Sequence, residues 1–189
     1  ADAMVDVARS GELGVRVAEP AGQGGVAQVQ GVGVDLAAVN RRVLDLARAQ
    51  SADTRRRLER DGVRIVAGRG HLDGPHRVVA EHAEGGQESI DADVVLVATG
   101  ARPRELTEAV PDGERILTWT QLYDLESLPE RLVVVGSGVT GAEFASAYDA
   151  LGSEVVLVSS RDQVLPGQDA DAAVVLEAVF ARRGVQVLP

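Results

Sequence analysis

The run Leu132-Val133-Val134-Val135-Gly136-Ser137-Gly138-Val139-Thr140-Gly141 constrains this 189-residue chain more than any other stretch. Four apolar residues of strand length pass directly into glycines spaced G-x-G-x-x-G, and a helical pattern follows. A strand, a tight turn and a helix in immediate succession satisfy that order. Further on, the chain reads as strand 131–135, helix 139–151, strand 154–158, helix 169–183 and strand 185–188. The alternation predicts a βαβαβ unit, hence a parallel sheet with right-handed crossovers. Phe144, Ala147, Tyr148 and Leu151 fall on one helical stripe and are expected against that sheet.

Each glycine has a separate use in such a turn. Gly136 permits the tight bend, Gly138 lets the backbone approach a pyrophosphate, and Gly141 lets helix and strand pack closely. Free N–H groups of the first helical turn then face the anion. Residues 136–141 therefore read as a dinucleotide site. An NAD-type site usually carries a carboxylate about 20 residues beyond the glycines, for the ribose 2′-hydroxyl. Here Ser159 occupies that place, with Arg161 two residues on. A hydroxyl beside a guanidinium can accept a 2′-phosphate, which favours NADPH, while Asp162 could still serve NADH. His71, His76 and His82 lack metal-ligand spacing, and no metal site is expected.

The first half of the chain is less regular. Residues 3–10 read as the end of a short helix, and a glycine-rich loop covers Gly22 to Gly33. Asp35 stands as the N-cap of a helix carrying Leu36, Val39, Val43 and Leu46 at helical spacing and ending near Asp61-Gly62. Arg55-Arg56-Arg57 near its C-terminus reads as a solvated face. Strands at 63–66, 77–83 and 87–90 would make an antiparallel meander. The continuous apolar run 93–98 reads as a parallel strand covered on both faces, with Ala98-Thr99-Gly100 turning the chain away at its C-terminal end. Thr118 and Gln121 fit a capping box at the start of a short helix.

Composition excludes several classes. The chain has 29 acidic and 19 basic residues, a net charge of -10, so it repels phosphate backbones and is not a general nucleic-acid binder. All the basic residues are arginine, which reads as coding bias. There is no cysteine, and no apolar run approaches a membrane span. The first ten residues lack a secretory signal pattern, and a cytoplasmic location is expected.

The segments 92–103 and 128–166 together, including Ala98-Thr99-Gly100-Ala101-Arg102-Pro103 and Val164-Leu165-Pro166, resemble the flavoprotein pyridine-nucleotide oxidoreductases of the lipoamide dehydrogenase and glutathione reductase type. The segment 111–128 is most similar to actinobacterial NAD(P)H:quinone reductases within that family. The resemblance implies an α/β fold: a partial FAD-binding domain with an antiparallel β-meander over residues 1–115, then a partial Rossmann-like NAD(P)-binding domain over 116–189. It implies FAD and NAD(P)H as cofactors, a quinone or small disulfide as electron acceptor, and a homodimeric parent. Thr99, Gly100 and Ala101 match the segment passing the flavin. Gly70 and His71 match the place where backbone meets the FAD adenine. Gly136, Ser137, Gly138, Val139, Thr140 and Gly141 match the NAD(P) fingerprint. Glu143 matches a glutamate near the nicotinamide, and Ser159, with Arg161, stands where the NAD-type acid would be. No catalytic acid or base is assigned. The family's first glycine fingerprint and any redox cysteine pair are expected ahead of residue 1, with its dimerisation domain beyond residue 189. The chain thus reads as an internal piece of a longer polypeptide, and its lack of cysteine decides nothing between thiol and quinone chemistry. A dithiol dehydrogenase and a non-catalytic nucleotide-binding module remain the alternatives.

Overall fold

A computed structural model describes residues 15–17 and 32–189. The short helix expected at 3–10 and most of the glycine-rich loop lie outside the described residues. The chain divides into two compact units. One takes in the described residues up to Arg41 together with Asp124–Pro189; the other is Arg42–Tyr123.

The first unit carries two short strands that the sequence pattern did not announce, β1 (Val15–Val17) and β2 (Val32–Val34), paired antiparallel. Helix α1 (Leu36–Arg60) starts where expected: Asp35 Oδ1 accepts the Ala38 N–H at 3.0 Å. Leu36 and Asn40 are buried in this unit, and Asn40 Nδ2 donates to the Leu125 carbonyl at 3.0 Å. The rest of α1 is largely exposed, including Val43 and Leu46 of its apolar stripe. Arg55, Arg56 and Arg57 pair with Glu59 and Asp53 on the solvated side, as anticipated.

The core of the first unit is the predicted βαβαβ unit. Strands β6 (Arg131–Val135), β7 (Glu154–Val158) and β8 (Gln186–Leu188) form a parallel sheet in the order β6-β7-β8. Helices α2 (Val139–Leu151) and α3 (Ala170–Arg183) make the crossovers. Glycines at left-handed φ close both helices, Gly152 at 109° and Gly184 at 92°. Asp169 caps α3 by accepting from the Asp171 and Ala172 amides. Arg183 ties α3 to α2 through the Ser146 carbonyl and Asp149. Val155, Leu157, Ala173, Phe180 and Val185 form the buried centre.

The stripe that α2 buries differs from expectation. Ala142, Ala145 and Tyr148 are buried, whereas Ala147 is exposed and Phe144 and Leu151 are half-buried. Small side chains let this helix lie close to the sheet, so the alanines face inward and the Phe144 ring sits beside Tyr148, 6.4 Å between centroids.

In the second unit the meander is present, but its first strand is shifted. Strand β3 (Gly68–Leu72) pairs with β4 (Arg77–His82), which pairs with β5 (Gln87–Asp91); residues 63–66 form no strand. The cause is the turn. Gly74 adopts φ 86° and the Asp73 amide donates to the Arg77 carbonyl, so the residues just before Asp73 pair with β4. Residues 93–98 are also not a strand, and Val94 and Leu96 are 84% and 87% exposed. Among the described residues no neighbouring strand pairs with this run, so its apolar sequence has nothing to bury against. Only half of the capping box forms, at a shorter helix: Gln121 Oε1 accepts the Thr118 amide at 2.8 Å ahead of a 3-10 turn at Gln121–Asp124, but the Thr118 hydroxyl donates to that same oxygen and the Gln121 amide donates to the Thr118 carbonyl instead. No helix among the described residues is long and apolar enough to cross a membrane.

Two outcomes test this description. A Cβ at Gly68 would overlap the Glu81 carbonyl oxygen across the β3–β4 pair, whereas one at Gly70 would meet only Val78 Cγ1 at 3.7 Å. Gly68→Ala should therefore weaken the meander by about 1–3 kcal/mol and expose β3 and β4 amides to hydrogen exchange, with Gly70→Ala near neutral. Equal protection in both variants would contradict the register. Ahead of the 3-10 turn, Asp112 Oδ1 accepts the Ile116, Glu114 and Arg115 amides at 2.8–2.9 Å. These donors, Ile116 foremost, hold its carboxyl below the ordinary aspartate range. The turn's contribution to stability is thus complete above the ordinary aspartate pKa of about 3.9 and is lost as pH falls through the depressed value. A carboxyl titration by NMR should give a midpoint below that value, and an ordinary midpoint would remove the turn's hold on Asp112.

Candidate dinucleotide site

The glycine turn sits at the C-terminal edge of the parallel sheet, where open α/β sheets bind ligands. Gly136 takes φ 112°, a conformation that disfavours any side chain, and its amide donates to the Val158 carbonyl at 2.9 Å. That bond carries the β6–β7 pairing one residue beyond the strand. Gly138 is the extended N-cap of α2, and a Cβ built on it meets nothing within 4 Å. A Cβ at Gly141 would overlap the Gly136 carbonyl oxygen, so only glycine permits this close approach of helix and turn. No side chain caps the start of α2, and the first helical bond runs from the Ala142 amide to the Gly138 carbonyl. The amides at Val139 and Thr140 precede that bond and sit at the positive end of the helix dipole. An open, uncapped helix start after a glycine turn fits a pyrophosphate.

Beside the turn, Ser159 follows β7 and is 3% exposed. Its hydroxyl donates to the Arg161 carbonyl at 2.8 Å and accepts the Arg161 amide at 3.1 Å. Its oxygen lies 2.7 Å from Ser137 Oγ, and Ser137 is itself 4% exposed. Because the Ser159 proton is directed at Arg161, Ser137 is the donor in the hydroxyl pair. The Ser137 carbonyl accepts the Leu165 amide at 2.7 Å. Leu165 holds φ 55°, the one left-handed non-glycine among the described residues. Its neighbour Val164 is fully buried, with its amide donating to Glu177 Oε1 of α3 at 2.7 Å.

The Ser159 hydroxyl, expected beside Arg161 to take a 2′-phosphate, is enclosed within the fold. Sequence reasoning did not pair Ser137 with Ser159 or single out Leu165; two serines at the C-terminal ends of strands in one parallel register were the available signal. Ser160, Arg161 and Asp162 are exposed, and among the described residues the Arg161 guanidinium makes no ion pair or hydrogen bond. Glu143 is exposed on the second turn of α2.

The remaining sequence-derived candidates belong to the second unit. Gly70 and His71 lie on exposed β3, with His71 Nδ1 3.8 Å from Glu81 Oε1. Thr99, Gly100 and Ala101 lie in an exposed irregular segment, where Gly100 has φ 74°. No hydrogen bond or ion pair among the described residues joins these two groups. His76 and His82 stay on the meander against the Ala92 carbonyl and Glu88.

Comparison with known proteins agrees with this geometry. The family model described as pyridine nucleotide-disulphide oxidoreductase matches residues 10–189. An NAD(P)H dehydrogenase (quinone) from Mycobacterium tuberculosis is 56% identical over 160 residues, covering 82% of this chain and 32% of that protein. A dihydrolipoyl dehydrogenase from Zymomonas mobilis is 32% identical over 154 residues, covering 82% of this chain and 33% of its own length. The crystal structure of LpdA from Mycobacterium tuberculosis superposes with a TM-score of 0.72 at 55% identity, covering 82% of this chain and 35% of that one. The chain spans about a third of the length of the curated relatives it matches. It belongs to the pyridine nucleotide-disulphide oxidoreductase family, whose members use FAD and NAD(P)H.

Proposed function

We propose that this chain is part of an FAD-dependent oxidoreductase that takes hydride from NAD(P)H onto the flavin and passes electrons to a quinone. The observation that carries the reading is the glycine turn from β6 into α2, whose uncapped amides fit a dinucleotide pyrophosphate. Similarity to the protein named NAD(P)H dehydrogenase (quinone) supports the quinone as acceptor. In this reading residues 1–115 belong to the FAD-binding domain and 116–189 to the NAD(P)-binding domain of a cytoplasmic homodimer.

The chain's own residues bind and orient. Gly136, Ser137 and Gly138 shape the turn, and the amides at Val139, Thr140 and Gly141 hold the NAD(P) pyrophosphate. Glu143 stands on the nicotinamide side, and the segment after β7, where Arg161 is exposed beside Ser159, meets the adenosine ribose. Gly70 and His71 edge the FAD adenine, while Thr99, Gly100 and Ala101 pass the flavin. The flavin, when bound, supplies hydride acceptance and electron transfer. A dithiol reading is supported by the relatives named dihydrolipoyl dehydrogenase, and it would need cysteines that these 189 residues do not hold.

Turnover by the holoenzyme tests the proposal. It should reduce a soluble quinone and leave lipoamide untouched; lipoamide turnover would replace the quinone reading with the dithiol one. The exposed Arg161 guanidinium can donate charge-assisted bonds to a 2′-phosphate. Arg161→Ala should lower kcat/KM for NADPH roughly 10- to 100-fold and spare NADH. An unmoved NADPH-to-NADH ratio would remove Arg161 from the phosphate site.

A further inference from the structure

We infer that Ser159 positions the nucleotide site without touching the nucleotide. With Ser137 it forms a buried hydroxyl clasp that locks the pyrophosphate turn to the segment carrying nucleotide discrimination. The inference rests on the dinucleotide reading and deepens it by assigning discrimination to Ser160 and Arg161 alone.

A serine hydroxyl has one proton and two lone pairs. The Ser159 proton goes to the Arg161 carbonyl, one lone pair takes the Arg161 amide, and the other takes the Ser137 hydroxyl proton. Nothing remains for a ribose or a phosphate, and at 3% exposure no ligand atom reaches it. The place where an NAD-type site holds its carboxylate is therefore closed.

Ser137 is gripped twice. Its hydroxyl is held by Ser159 and its carbonyl by the Leu165 amide. Leu165 keeps a left-handed φ of 55°, which disfavours a leucine and persists only where surrounding contacts fix it. Those contacts include Val164, buried and bonded through its amide to Glu177 of α3. The residue between Gly136 and Gly138 is thereby tied to the exit of β7 and to the loop ahead of α3. Loss of the clasp should loosen pyrophosphate and ribose ends together. Ser160 and Arg161, exposed beside it, are left to read the 2′ position.

The test has two arms. Hydrogen exchange of the holoenzyme without nicotinamide nucleotide should be faster at the Ser137, Gly138, Arg161 and Leu165 amides in Ser137→Ala and in Ser159→Ala. The double variant should be little worse than Ser159→Ala alone, because that substitution already removes the bond the two hydroxyls share. Titration with NADPH and with NADH should show each alanine variant weakening both nucleotides by the same factor, roughly 3- to 10-fold. Ser159→Glu should weaken both as well, since the acid has no room, whereas Ser160→Glu should disfavour NADPH selectively. A changed NADPH-to-NADH ratio in Ser159→Ala with exchange unaltered, or an NADH-preferring Ser159→Glu, would overturn the clasp in favour of direct contact. If the unaltered holoenzyme binds neither nucleotide, the dinucleotide reading fails, and unaltered exchange in the alanine variants would independently sink the clasp.

Discussion

The close approach of Gly141 to the Gly136 carbonyl governs the first unit's site. Helix α2 can begin directly over the end of β6 only because no Cβ stands between them. That approach fixes where the first-turn amides point, and it forces the bend that brings Ser137 against Ser159. The alanine face of α2 serves the same closeness further along, with Ala142 and Ala145 buried where larger side chains would hold the helix away. Bulk is carried instead by Phe180, Leu157 and Val155, on α3 and β7.

The parallel unit was readable from sequence because its signals are local and mutually consistent. Strands β6 and β7 and helix α2 have the boundaries predicted, and α3 and β8 differ by one residue at their starts. Apolar runs, an Asp169 cap and glycines after each helix all specify the same breaks. The meander was read in kind but misplaced at β3, because the Asp73-Gly74 turn sets the register and the apolar cluster at Val63, Ile65 and Val66 does not. Residues 93–98 carry the composition of a doubly covered strand, yet a strand also needs a neighbour, which a local pattern cannot supply. The tiny strands β1 and β2 were too short to leave a periodic signal.

The site was legible to a similar depth. The spacing of Gly136, Gly138 and Gly141 announced the turn; the structure requires glycine at Gly136 by its φ and at Gly141 by its contact with the Gly136 carbonyl, while Gly138 is extended and faces open space. Ser159 was found as a position but not as a chemical state. Its place after β7 is legible in the sequence, whereas the occupation of its three hydrogen-bonding capacities is a property of the folded chain. Arg161 gains weight for the complementary reason, being exposed with an unengaged guanidinium among the described residues.

The central claim is that the uncapped start of α2 receives a dinucleotide pyrophosphate. Amide NMR of the holoenzyme during titration with NADPH tests it most directly. The account predicts that the Gly138, Val139 and Thr140 resonances move first and furthest, saturating together with that of Arg161. Saturable shifts confined to residues away from the turn, or no shift at these amides at any nucleotide concentration, would contradict it.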